Sequence, residues 1–140
     1  MIILDTNVLS ELSRQDPSGQ VLSWVDSQPA DETATTAVTV GELLYGVARL
    51  PEGRRKAALA EAVHGMLDDD LRGRVEPFDA AAAAHYAAIV SDREKIGRPI
   101  SMADAQIASI CRKLQATLAT RNTRDFEDTG IDVIDPWNPR

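Results

Sequence analysis

Four acidic side chains stand where a predicted strand ends or a predicted helix begins: Asp5 after MIIL, Glu42 in TVGELL, Asp104 in SMADAQ and Asp125 in NTRDF. Each alone has an ordinary structural role. Asp5 can cap the helix that follows it. Thr39-Val40-Gly41-Glu42 and Ser101-Met102-Ala103-Asp104 both have the form of a capping box, and Asp125 suits the positive end of a helix dipole. Taken together the acids ask for more. If they converge, like charges about 4 Å apart repel by roughly 4 kcal/mol per pair at an effective dielectric of 20. A marginally stable domain does not hold several such pairs for capping alone. A hard divalent cation relieves the repulsion, and an all-oxygen donor set suits Mg²⁺ or Mn²⁺.

The elements that must position these acids follow from hydrophobic periodicity. MIIL at 1–4 reads as a strand buried on both faces. Helical spacing follows in NVLSELSR, and again in QVLSWVDSQ with Val21, Leu22, Trp24 and Val25. TATTAV at 33–38 is Thr-rich and β-branched, which predicts a second strand. VGELLYGVARL at 40–50 carries a helical stripe of Leu43, Leu44, Val47 and Leu50. After Pro51, a charged helix sets Leu59, Val63, Met66 and Leu67 on one face.

RVEPF at 74–78 is strand-like, but Pro77 restricts it to a sheet edge. Asp79 caps a long Ala-rich helix that Gly97 and Pro99 end. SMADAQIASICRKL places Ile107, Ile110, Cys111 and Leu114 at i, i+3, i+4 and i+7. ATLAT and IDVID complete the strands. The alternation predicts a three-layer α/β/α sandwich with a mostly parallel central sheet, in one domain spanning 1–140. Ligands of such sheets bind beyond the carboxyl ends of the strands. Asp5, Glu42 and Asp125 fall there by topology; Asp104, which opens the helix before ATLAT, does not.

Composition narrows the function. The net charge is −7 and the pI near 4.7, which argues against a broad nucleic-acid-binding surface. Arg49, Arg54, Arg55, Lys56, Arg121 and Arg124 lie near the rim or on charged helices, and each is more often a solvated helix-face charge than a phosphate contact. The lone Cys111 excludes an internal disulfide and a cysteine metal site. No segment is apolar enough to span a membrane, and Asp5 falls where a signal peptide would carry its apolar run, so a cytoplasmic location is expected. His64 and His85, the only histidines, lie in Ala-rich helices away from the acids, which disfavours a histidine acid–base pair. The Asp68-Asp69-Asp70 run reads as solvent-facing charge.

LDTNVLSEL at the start, GELLYG at 41–46, SMADAQIAS at 101–109 and LATRNTRDF at 118–126 together resemble the PIN-domain family, specifically its VapC and FitB-like toxins of type II toxin–antitoxin pairs. The resemblance runs along essentially the whole chain with the motifs in order. It implies a metal-dependent endoribonuclease with Asp5, Glu42, Asp104 and Asp125 in an acidic pocket and places Asp104 on the rim. Asp5 and Asp104 would contact Mg²⁺ or Mn²⁺ directly; Glu42 and Asp125 would complete the site directly, through waters, or around a second ion. Thr6, Asn7, Thr120 and Asn122 would orient carboxylates or the attacking water.

The resemblance further implies a homodimer and a cognate antitoxin of the VapB or FitA kind, with a DNA-binding domain of its own and a segment laid in a groove beside the pocket. The helical pair within 40–71, with Leu44, Tyr45, Val47, Leu59 and Met66, is then either core or a surface for partners. The alternatives are a haloacid-dehalogenase-like phosphatase, a receiver-like domain, and a non-catalytic RNA- or protein-binding relative. The first wants an acid where Asn7 stands, the second a phosphate-binding lysine that SMADAQ and ATRNTRDF do not offer, and the third is disfavoured by the complete set of acids.

Overall fold

The computed structural model describes residues 1–139. Its centre is a five-stranded sheet in the order β3-β2-β1-β4-β5, with every pairing parallel. The strands are β1 (Ile2–Leu4), β2 (Thr33–Thr36), β3 (Val75–Glu76), β4 (Thr117–Ala119) and β5 (Asp132–Ile134). The helices are α1 (Thr6–Leu12), α2 (Gly19–Asp26), α3 (Ala37–Ala48), α4 (Arg54–Gly65), α5 (Ala80–Lys95) and α6 (Met102–Leu114). β3 is an edge strand, as Pro77 requires.

Three layers follow from where the strand side chains go. Leu4 and Ala119 pack with Val8, Leu9, Val21, Leu43, Val47 and Val63, so α1 to α4 cover one face. Ile3 and Leu118 pack with Ile89, Ile107, Ala108, Cys111 and Phe126, so α5 and α6 cover the other. Successive strand residues point to opposite faces, and both faces being covered explains why β1 is a continuous apolar run. Ile3 and Leu4 are each no more than 1% exposed.

β2 is shorter than its β-branched sequence suggests. The chain turns helical at Ala37 because Thr36 is the N-cap of α3, its hydroxyl accepting the Thr39 N–H at 3.1 Å. The capping box expected at Thr39 through Glu42 is therefore absent: Thr39 already lies inside the helix, and Glu42 turns elsewhere. The other buried hydroxyls of β2 are also bonded, Thr35 to the Leu4 carbonyl at 2.8 Å and Thr33 to that of Pro29 at 2.9 Å. Two further caps match the sequence reading. Asp79 caps α5 through Ala82 N–H at 3.0 Å, and Ser101 caps α6 through Asp104 N–H at 3.2 Å.

α4 runs into a π-helical stretch, Met66–Asp70, closed by a Leu71 N–H to Met66 carbonyl bond of 3.0 Å. This widened turn keeps Met66 and Leu67 in the core while Asp68, Asp69 and Asp70 face solvent. The apolar positions of 40–71 thus divide. Val47 and Met66 are buried, Leu59 packs at the core edge, and Leu44 and Tyr45 are exposed. No helix among the described residues is long and apolar enough to cross a membrane.

α5 and α6 form an antiparallel hairpin. Asp79 at the start of α5 pairs with Lys113 at the end of α6, while Arg93 near the end of α5 reaches the turn after β4. α5 thereby carries the chain back to the carboxyl rim of the sheet, and α6 begins there. That extra helix is why strand-to-helix counting alone does not place Asp104.

Candidate metal-binding active site

β1 is the central strand, with β2 and β3 on one side and β4 and β5 on the other. The strand order reverses between β1 and β4, which makes the crevice beyond their carboxyl ends the expected ligand position. Asp5 stands at that point. Its backbone N–H continues the ladder to the Ala119 carbonyl at 3.0 Å, and its extended backbone (φ −74°, ψ 165°) makes it the N-cap of α1. Oδ1 accepts the Thr6 N–H at 2.8 Å, and Oδ2 accepts the Thr120 hydroxyl at 2.7 Å. Asp5 is thus both cap and pocket wall.

Asp5 is only 5% exposed. Burial pushes its carboxyl above the usual range; the Thr120 and Thr6 bonds work against that, and the charges of Asp104 and Glu42 add to it. Asp104, half-buried in the first turn of α6, is raised as well, by burial first, against the Ser101 bond. The Asp125 and Glu42 charges raise it further, and the Arg93 charge lowers it. Asp5 and Asp104 thus each feel the other acids, Asp5 the charges of Asp104 and Glu42, and Asp104 those of Asp125 and Glu42, which gathers the four at one rim. They come from the N-cap of α1 just after β1, from α3, from α6 and from the 3₁₀ turn Thr123–Phe126. Among the described residues, no three His, Cys, Asp or Glu side chains already stand in a metal-binding arrangement.

The supporting groups form a network around Thr120, whose hydroxyl is fully buried. It donates to Asp5 and accepts from Asn7 Nδ2 and from Asn122 N–H, both at 3.1 Å, which uses its one hydrogen and both lone pairs. Asn7 Oδ1 accepts the Arg121 N–H at 3.2 Å. Thr6 donates to Glu42 Oε1 at 2.6 Å and lies 3.2 Å from the Thr39 hydroxyl. Thr6, Asn7 and Thr120 thus engage the pocket through their side chains. Asn122 engages it through its backbone instead.

Asp125 and Glu42 are exposed at the mouth. Thr39 and Arg93 were not evident from residue type. Arg93 lies one helical turn after Ile89, on the same buried face of α5 as Ala82. That spacing was its one signal in the sequence.

The basic residues divide in their surroundings. Arg121 stacks over Trp137, 4.8 Å from the ring centre, and Lys56 pairs with Glu52 at 2.7 Å. Arg49 and Arg55 line a groove of about 260 Å³ that opens beside Glu42, between α1, α3 and α4. Arg54 and Arg124 are exposed. His64 is exposed near the end of α4 and His85 half-buried on α5.

The chain belongs to the PIN domain family, whose model matches residues 2–132. Within that family it falls with the VapC and FitB toxins. It is 40% identical over 139 residues to the VapC ribonuclease Y4jK of Sinorhizobium fredii, covering 99% of both chains. It is 39% identical over 138 residues to the toxin FitB of Neisseria gonorrhoeae, again covering 99% of both. Among solved structures, FitAB bound to an IR36 DNA fragment superposes with a TM-score of 0.92 at 38% identity, over 100% of this chain and 98% of that one.

Proposed function

We propose that this protein is a metal-dependent endoribonuclease toxin held in check by a cognate antitoxin. The observation that carries the reading is Asp5: a carboxylate 5% exposed, at the switch point of a parallel sheet, facing two further acids. Burial and like charge both penalise its ionised form, and among the described residues the ion pairs include none to Asp5, Asp104, Glu42 or Asp125. An all-oxygen set with uncompensated negative charge fits Mg²⁺ or Mn²⁺. Asp5 and Asp104 would hold the ion, with Glu42 and Asp125 completing the set.

A bound divalent ion lowers the pKa of a water and stabilises charge building on a phosphodiester. The chain's own residues do the rest. Thr120 and Thr6 N–H fix the two oxygens of Asp5, so that its orientation is set before any ligand arrives. Thr6 restrains Glu42, and Asn7 braces Thr120. Arg49 and Arg55 offer positive charge along the groove that leads from Glu42, which favours a phosphate chain on an otherwise acidic surface. Water attack in line with the leaving oxygen gives 5′-phosphate and 3′-hydroxyl ends.

The naming of the S. fredii relative as a ribonuclease and of FitB as a toxin supports this activity, and the FitAB–DNA structure supports a partner of the FitA kind. An acidic toxin suits a basic antitoxin segment, and a homodimer and cytoplasmic action complete the reading. The test is cleavage of total bacterial RNA by the purified toxin, with Mg²⁺ or Mn²⁺ and with EDTA, beside folded Asp5→Asn. Metal-dependent cuts bearing 5′-phosphate and lost in the variant are expected. Cuts that persist in EDTA, or that leave cyclic phosphate ends, sink the mechanism.

A further inference from the structure

Arg93 is 4% exposed, yet no carboxylate pairs with it among the described residues. Its guanidinium instead donates to three carbonyls: Nε to Arg98 at 2.7 Å, and Nη1 to Asp125 and to Glu127, each at 3.0 Å. The Arg98 N–H returns to the Arg93 carbonyl at 2.9 Å, closing a ring with the loop after α5. One side chain therefore ties that loop, which leads into the helix bearing Asp104, to the turn bearing Asp125. A buried cation without an ion-pair partner is costly unless dipoles and nearby negative charge offset it. The carbonyls supply the dipoles, and the acidic pocket supplies the charge.

The geometry points to Arg93 as a positioning residue, which we propose sets the placement of Asp125 relative to Asp104 so that both reach one cation, a role that rests on the metal-dependent reading above. The planar fork is what the task needs. Five donors in fixed directions can bridge carbonyls on two segments, whereas a lysine ammonium is a point charge on a flexible stem. Arg98 reinforces the turn from outside, pairing with Glu127 at 3.1 Å and Asp128 at 3.2 Å, but it is half-exposed and its one bond to the turn's backbone, to the Arg124 carbonyl, is long at 3.4 Å.

The test compares wild type, Arg93→Lys, Arg98→Ala, Asp125→Asn and the Arg93→Lys/Asp125→Asn double variant, all checked for folding. Two readouts are used: amide hydrogen exchange across 122–128, and Mn²⁺ affinity from the electron paramagnetic resonance of free Mn²⁺. Arg93→Lys should speed exchange of the Asp125 and Glu127 amides at least tenfold. It should weaken Mn²⁺ by about tenfold, in the range for outer partners of metal ligands. The double variant should be no weaker than Asp125→Asn alone, since both changes remove the same contribution. Arg98→Ala should keep Mn²⁺ affinity within twofold of wild type.

Unchanged exchange in Arg93→Lys overturns the proposal whether or not metal binds. Faster exchange with wild-type Mn²⁺ affinity reduces Arg93 to a structural role and overturns it too, as do effects that add fully to those of Asp125→Asn. If Arg93→Lys does not fold, Arg98→Ala decides: loss of Mn²⁺ affinity there assigns the positioning to Arg98 instead. A wild-type protein that binds no Mn²⁺ overturns the metal reading itself.

Discussion

Asp5→Asn is expected to stabilise the metal-free protein while removing its activity. The sign follows from the raised carboxyl. In the pH window between the unfolded and the folded titration of Asp5, the native state keeps a proton that the unfolded chain has released, so stability falls as pH rises through that window. Above it the native state carries a buried charge facing Asp104 and Glu42. If each of those carboxylates lies roughly 8 Å away at an effective dielectric of 20, it repels Asp5 by about 2 kcal/mol before screening. The amide retains the Thr6 or the Thr120 bond but not both, a loss of about 2 kcal/mol.

The two repulsions less the lost bond leave Asp5→Asn ahead by at most about 2 kcal/mol at pH 7 before screening, up to roughly 8 °C in Tm for a domain of this size. The assay is thermal unfolding followed by circular dichroism in EDTA from pH 4 to 8. The Tm difference between variant and wild type should grow with pH and then level off. Saturating Mg²⁺, at about a hundred times its Kd, should add about 2.7 kcal/mol to wild type alone and reverse the order. A variant less stable than wild type at pH 7 in EDTA, with a difference independent of pH, would refute the electrostatic reasoning.

Thr120→Val removes the donor to Asp5 Oδ2 and strands the Asn7 and Asn122 donors. Its cost should be about 1–3 kcal/mol in urea unfolding, with about a tenfold loss in Mn²⁺ affinity by titration calorimetry. Glu42→Gln, at an exposed position, should change stability by no more than about 0.5 kcal/mol yet reduce RNA cleavage at least tenfold in single-turnover assays. Burial holds the Cys111 thiol up at about 12, so a thiol-reactive dye at pH 8 should leave the native protein unlabelled and modify it only in denaturant.

Much of the fold was legible because period and punctuation agreed. β1 is an apolar run, Asp79 and Ser101 precede helical stripes, and Pro77 marks an edge strand. β2 misled because Thr36 is both a strand former and an N-cap; residue type cannot say which use ends the strand. The hydroxyl's bond to Thr39 decides it. For the site, the sequence places Asp5 at a strand end, but the burial that raises its carboxyl depends on β4 lying beside β1, a long-range pairing. Asp104 reaches the rim only because α5 turns the chain back. Arg93 does not declare its role by residue type, since its partners are backbone carbonyls, which leave no trace in residue identity.

The most direct measurement is an anomalous difference map at the manganese edge from crystals of the toxin soaked in Mn²⁺. A peak is expected in the crevice beyond β1 and β4, bonded by Asp5 and Asp104 and absent in Asp5→Asn. Crystals of RNA-cleaving protein with no manganese among these four acids would contradict it.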